Sequence, residues 1–445
     1  MIKPVLRAAL LVSSVALIPV ATSAIAAVDG SSYREIDQLA SVFAIVREKY
    51  VERVDDSKLI KGAIDGMLAS LDPHSSFLDT RDVANMRTQT EGNYGGLGLQ
   101  VTMEDSAVKV IAPMEDTPAS RVDIKPGDFI THIDGVYIVG GKLDDAVDSM
   151  RGKPGTSIKL TIARPGRDKP HDVTITREVI KIQNVKWEVR GDVGVININT
   201  FMQKNTTEEV RRAIAQIDQK LGRKPRGYVI DLRSNPGGLL DQAIEVSDLF
   251  LDSGEVVSQR GRDRRDIERY YARKGDLAGG LPLIVLVDAG SASASEIVAG
   301  ALQDHHRALV MGERSFGKGS VQTLIPLDDG TEIRLTTARY YTPAGKSVQE
   351  GGIEPDVAVP QLSDPDYKVR TRFREADLSR HLVNDGKVDN AVLETDTKPD
   401  PRFSATPEQL KAKGITDYQL HYALQTVGRL PYSQMATAPG RKGGK

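Results

Sequence analysis

The stretch Gly290-Ser291-Ala292-Ser293-Ala294-Ser295-Glu296, followed after a helix-like run by Ser315-Phe316-Gly317-Lys318-Gly319-Ser320-Val321-Gln322, decides how this chain is read. Three serines among minimal side chains open a predicted helix over residues 294–306, and a lysine boxed by two glycines follows beyond the next strand-like run. A serine hydroxyl attacks a carbonyl carbon only when a base removes its proton. Lys318 is the nearby group with unusual surroundings. Ser293 with Glu296 three positions on is also a capping-box pattern, so a plain helix cap competes with a nucleophile at this position. A helix start offers unpaired N–H groups and the positive end of the dipole, which favour a developing anion. Ser291 and Ser295 compete with Ser293, and local physics does not choose among the three.

Lys318 must be neutral to act as a base. A free lysine titrates near 10.4, so reaching about 7 to 8 takes a shift of roughly 3 units, or about 4 kcal/mol. Burial supplies such a shift, and Phe316 is a candidate neighbour. Gln322 can accept a hydrogen bond from the amine without the negative charge that would hold the proton on. Gly312 to Lys318 also fits most of the phosphate-loop pattern G-x-x-x-x-G-K-[ST]. Gly319 then lacks the hydroxyl that Mg²⁺ needs, and residues 321–327 read as a strand where a helix is required. A phosphate loop is excluded.

Around this block, residues 181–360 alternate apolar strand runs (194–198, 227–232, 283–287) with helices predicted at 207–221 and 240–249. Continuous apolar strands imply α/β layers with a partly parallel sheet covered on both faces. Asp231-Leu232-Arg233-Ser234-Asn235-Pro236-Gly237-Gly238 leaves a buried strand and ends in paired glycines suited to presenting a backbone N–H. From Tyr94 to about Val179 the pattern shifts to short β-rich runs with turns at Pro126-Gly127-Asp128 and Asp134-Gly135, and a helix at 143–150. Ahead of it, Ile36, Leu39, Phe43, Val46 and Tyr50 form the seam of an amphipathic helix, with a second helix at 57–70. That narrow seam fits either its own core or a homo-oligomer joined through the N-terminal helices.

With 445 residues the chain is expected to hold two or three domains. A net charge of −2 from 59 basic and 61 acidic side chains argues against a nucleic-acid partner. Lys3 and Arg7 precede an apolar run from Ala8 to Val20 and a small-residue Ala24-Ile25-Ala26 site, the plan of a cleavable secretory signal cut after Ala26. A retained anchor, and so membrane association, is the alternative. The absence of cysteine excludes disulfides, thiolate zinc sites and a lipoprotein anchor. The mature chain reads as exported, soluble and free of metal and cofactor.

The block from Gly290 to Gln322 resembles the C-terminal processing peptidases, or tail-specific proteases, which use a Ser-Lys dyad. The resemblance matches Ser293 to the nucleophile, Lys318 to the base and Gln322 to the residue orienting the lysine. It implies an oxyanion hole from Ala294 and from Gly237 or Gly238, between which it does not choose. The β-rich region resembles a PDZ domain, with Tyr94-Gly95-Gly96-Leu97-Gly98 matching the loop that binds a peptide's terminal carboxylate, and Arg151 matching an arginine that links PDZ to catalytic region. Asp304 matches a family position and reads as structural. The implied fold is a multidomain α/β chain: a signal peptide (1–26), an N-terminal helical segment (27–90), an inserted PDZ domain (91–180), a crotonase- or Clp-like serine protease core (181–360) and a C-terminal extension with a disordered tail (361–445). The implied activity is a periplasmic endopeptidase acting on flexible C-terminal tails, with or without an adaptor protein. The other function class is a catalytically silent PDZ scaffold.

Overall fold

The structure, a computed structural model, describes residues 30–430 apart from positions 105, 115, 182–183, 264, 368, 371, 385 and 387–399. The predicted signal at residues 1–26 and the polar tail at 438–445 lie outside the described residues. The chain divides into two compact units, residues 1–67 and 68–445. The first holds α1 (Gly30–Lys49) and most of α2 (Asp56–Ala69), whose last two residues belong to the second unit. Along α1, Ile36, Leu39, Val42 and Ile45 are exposed, while Phe43 and Val46 are half-buried.

The second unit opens with the strand Ser76–Leu78 and α3 (Thr80–Glu91). The β-rich region follows as one antiparallel sheet of six strands with α4 (Leu143–Met150) against it. Its core is separate, built on Val108, Val110, Ile130, Leu160 and Ile162 with Ala146 and Met150 of α4. Asn93–Gly96 pairs with Glu178–Lys181 and so ties the region's entry to its exit. Tyr94, Gly95 and Gly96 therefore lie in a strand, not in a loop as the sequence suggests. The turn is confined to Leu97 and Gly98. Gly98 sits at φ 78°, where a Cβ would lie 2.3 Å from the Thr117 side chain.

The catalytic-type core is a six-stranded sheet in the order Val185–Arg190, Val193–Ile198, Gly227–Asp231, Leu283–Val287, Leu309–Gly312, Val357–Ala358. The first pair is antiparallel and the rest are parallel. Period-2 alternation sends Ile196, Ile230, Val285 and Val310 to one face, where α5 (Thr206–Leu221), α6 (Leu240–Asp248) and α7 (Ala294–Asp304) cover them. Val195, Val229, Ile284 and Met311 point to the other face. There α8 (Pro407–Ala412) and α9 (Tyr418–Arg429) bury Leu410, Ala423 and Val427 against them.

The residues after Pro360 thus do more than extend the chain: without α8 and α9 one face of the central sheet would meet water. Arg233, at the end of a central strand, pins this region by pairing with both Asp231 (2.6 Å) and Asp417 (2.7 Å), the N-cap of α9. A second antiparallel sheet runs Ser76–Leu78, Glu332–Tyr341, Glu255–Arg260, Ile267–Tyr271, with Ser320–Pro326 also paired to Glu332–Tyr341. That hairpin carries Gln322, and the segment ahead of α3 is woven into it.

Candidate active site

The three competing serines part company in the structure. Ser291 is fully buried and its hydroxyl donates to the Leu232 carbonyl at 2.8 Å. Ser295 is equally buried and donates to the Asn235 carbonyl at 2.9 Å. Both fasten the start of α7 to the neighbouring glycine loop. Ser293 is partly exposed and sits at φ 54°, ψ −113°, a conformation that costs a non-glycine residue of order 1–3 kcal/mol and concentrates at functional sites.

Glu296 holds that conformation. It is fully buried, and its Oε2 accepts the Ser293 N–H at 2.7 Å and the Lys318 N–H at 3.0 Å. Its Oε1 accepts the Gly317 N–H at 2.7 Å and the Ser315 hydroxyl at 2.5 Å. One carboxylate oxygen therefore joins the backbones of Ser293 and Lys318. The Tyr340 hydroxyl repeats the link, lying within hydrogen-bond reach of the Ser293 carbonyl (3.1 Å) and of the Lys318 carbonyl. Burial pushes the Glu296 carboxyl up to about 7, although its four donors pull it down.

Lys318 donates from Nζ to Gln322 Oε1 at 2.5 Å. Among the described residues no carboxylate lies within ion-pair distance of that amine. Burial lowers its pKa below the ordinary lysine value, and the Arg334 charge adds to this against the carboxylates of Glu375, Glu296 and Asp72. Gln322 is itself oriented: its Nε2 donates to Ser320 Oγ (2.9 Å) and Thr336 Oγ1 (3.3 Å), which leaves its oxygen for the lysine.

The two glycines of the loop are not equivalent. Gly237 packs on the serine so closely that a Cβ would lie 2.8 Å from both the Ser293 Cβ and the Ala294 nitrogen. Its N–H is already donated to Asn235 Oδ1 at 2.9 Å. Gly238 is held by its neighbours, since the Phe201 N–H donates to the Gly237 carbonyl and the Leu239 N–H to the Phe201 carbonyl. Those bonds leave its own N–H without a partner among the described residues. The Ala294 N–H, first in α7, has none within the helix.

A groove lies between the strand Leu99–Glu104 and α4, lined by Leu97, Gly98, Leu99, Val101, Val147 and Met150. Arg151 lines the same groove. Its guanidinium lies over the Tyr94 ring at 5.4 Å and donates to Asn85 Oδ1 of α3 at 2.7 Å. Arg81 of α3 pairs with Asp145 (3.2 Å) and Asp148 (2.6 Å) of α4. Arg151 thus reaches α3 and Tyr94. Asp304 accepts the Ala344 N–H at 2.8 Å, a structural contact.

Residues 192–359 match the model of peptidase family S41, residues 95–175 a PDZ domain, and residues 19–82 the N-terminal domain of the activating protease CtpB. The chain is 47% identical over 407 residues to a carboxy-terminal-processing protease of Bartonella bacilliformis, covering 90% of this chain and 94% of that one. It belongs to the carboxy-terminal-processing proteases of family S41. It is a serine-type peptidase with a PDZ domain. The carboxy-terminal processing protease CtpB of Bacillus subtilis is 36% identical over 352 residues, 78% of this chain and 72% of that one. A solved photosystem II D1 C-terminal processing protease is 31% identical, with 72% of this chain and 92% of that chain covered and a TM-score of 0.42.

Several residues of this peptidase's site escape a linear reading. Glu296 is visible only as a capping partner, yet it also grips the lysine loop 22 residues downstream. Thr336, Asp72 and Glu375 approach Gln322 and Lys318 from separate segments, and no spacing rule predicts that. Tyr340 sits in an ordinary strand pattern.

Proposed function

We propose that this peptidase takes the C-terminal tail of an exported polypeptide in its PDZ groove and cleaves peptide bonds by a Ser293–Lys318 dyad through an acyl-enzyme. The observation that carries this is the shared Glu296 oxygen, which sets the two residues side by side, combined with a buried lysine whose hydrogen bond goes to a neutral carboxamide. A buried lysine with no contacting carboxylate is costly, and a silent scaffold has no use for it. Ser293 Oγ attacks the carbonyl carbon as Lys318 Nζ takes its proton. The tetrahedral oxyanion is met by the N–H groups of Ala294 and Gly238, because the Gly237 N–H is occupied. Lys318 passes the proton to the leaving amine, then deprotonates the water that frees Ser293.

The tail is read by the Leu97–Gly98 turn, by strand addition along Leu99–Glu104, and by apolar contact with Val147 and Met150. Tail occupancy reaches the catalytic core through Arg151, Asn85 and α3. The basic-then-apolar start of the chain supports export to the periplasm, and the exposed stripe of α1 supports pairing with a second copy. The decisive assay digests an unfolded protein with an apolar C-terminus. Ser293→Ala and Lys318→Ala each lose at least about 10³-fold in rate while still binding the tail. Equal rates for all three proteins sink the dyad.

A further inference from the structure

The base-orienting carboxamide is itself governed from a distant part of the chain. Asp72 is buried, and its Oδ1 accepts the N–H groups of His74 (2.8 Å) and Ser75 (2.9 Å) and the Thr336 hydroxyl (3.1 Å). Its Oδ2 accepts the Ser75 hydroxyl at 2.8 Å. The Ser75 oxygen in turn accepts the Thr336 N–H at 3.1 Å, so both the backbone and the side chain of Thr336 are fixed. An ionised carboxylate can only accept, and a threonine hydroxyl has one hydrogen. With that hydrogen on Asp72, Thr336 Oγ1 can only accept from Gln322. The amide end of Gln322 must then face Thr336 and Ser320, and its oxygen must face Lys318. A flipped carboxamide would put two donors against the amine and an acceptor against a hydroxyl that has nothing left to donate.

We infer that Asp72 and Thr336 are positioning residues of the reaction: the Asp72 carboxylate, acting through the Thr336 hydroxyl, fixes the Gln322 carboxamide so that its oxygen holds Lys318 Nζ. The inference rests on the dyad proposed above and adds to it a four-residue chain, Asp72, Thr336, Gln322, Lys318. It also gives the short segment before the PDZ domain a part in catalysis. Residues Ser76–Leu78 lie in register on Arg334–Glu332, which carries Asp72 to within reach of Thr336. The base is therefore oriented by chain that precedes the PDZ domain, although the base itself lies far downstream of it.

Thr336→Val keeps the β-branched shape and removes only the hydroxyl. It should lower kcat on a tailed peptide by about 10- to 100-fold, as expected when a base is misplaced, with KM and tail binding within about twofold. Thr336→Ser should restore most of the rate. In a Gln322→Ala background Thr336→Val should cost nothing further, because its only route to Lys318 is gone. If Thr336→Val melts early, Asp72→Asn in the wild-type and Gln322→Ala backgrounds gives the same non-additivity test. Wild-type kcat for Thr336→Val, or a full additional loss in the Gln322→Ala background, overturns the inference while leaving the dyad intact. Wild-type activity in Lys318→Ala overturns the dyad and this inference together.

Discussion

Gly237→Ala is the smallest change that strikes the proposed catalytic centre, and its effect can be worked from the backbone. The added Cβ would stand 2.6 Å from the Ala292 carbonyl oxygen, 2.8 Å from the Ala294 nitrogen and 2.8 Å from the Ser293 Cβ. Ordinary contact begins at 3.4 Å, so the nearest pair must part by about 0.8 Å, from 3.4 − 2.6. The loop cannot easily retreat. Its Gly237 N–H is held by Asn235, and its carbonyl by the Phe201 N–H (2.8 Å) and the Thr200 hydroxyl (2.9 Å). The serine side must yield in part. Overpacking of this size costs about 1–3 kcal/mol. Placing a Cβ at φ 93° adds about 1–2 kcal/mol. A shift approaching 1 Å in the nucleophile removes about 10²-fold in rate. The variant should therefore melt several degrees lower and lose about two orders of magnitude in kcat/KM on a tailed peptide, while the PDZ groove binds the tail as before. Wild-type kcat/KM and an unchanged melting temperature would refute the packing of this loop on Ser293.

Three further outcomes follow from the charges at the site. The folded-state pKa of Lys318 is depressed, so this lysine costs stability that is regained as pH rises toward its unfolded value. Lys318→Met should accordingly raise the melting temperature at pH 6, and by less at pH 10, while abolishing peptide hydrolysis. Glu296 titrates near 7 when folded against 4.5 when unfolded, so the stability it contributes is present below about 4.5 and lost as pH rises through 7. Thermal scans at pH 5 and pH 8 should show a smaller drop for Glu296→Gln than for wild type, along with a large loss of activity, because a carboxamide can accept on one side only and must abandon either the Ser293 and Lys318 N–H pair or the Gly317 and Ser315 donors. Arg151→Ala removes the contacts to Asn85 and Tyr94, and should slow digestion of a tailed substrate more than of the same substrate without its tail. Equal slowing of both would exclude coupling through α3.

The parallel core was legible because its strands are covered on both faces and so carry unbroken apolar runs, as in Leu283–Val287. The helices at 206–221 and 294–304 were visible from their spacing and from the capping pair Ser293 and Glu296. The sequence pattern does not mark α9 as part of the core. Its buried positions are Gln419, Ala423 and Val427, one polar and two of modest size, set among His421, Gln425 and Thr426, which blunts the contrast between its faces. Tyr94 to Gly96 read as a loop because of the glycines. Yet Gly95 is in a strand packed so closely on Gly152 that a Cβ would lie 2.1 Å from its carbonyl. At the candidate site, composition marks the serine cluster without choosing within it, and only three dimensions separate Ser293 from Ser291 and Ser295. Their hydroxyls are taken up by the Leu232 and Asn235 carbonyls, which lie about 60 residues away in sequence. Asp72 and Glu375 approach the lysine from opposite ends of the chain, a convergence that no local pattern encodes.

In the proposed mechanism Ser293 is made nucleophilic by Lys318. Covalent labelling by a small fluorophosphonate, followed by peptide mapping, reads both the site and its activation in one experiment. A single adduct on Ser293 is expected, with a labelling rate that rises with pH, reaches its midpoint below the usual lysine value near 10.4, and drops by at least about 10³-fold in Lys318→Ala. An adduct on another serine, or an equal labelling rate in Lys318→Ala, would contradict it.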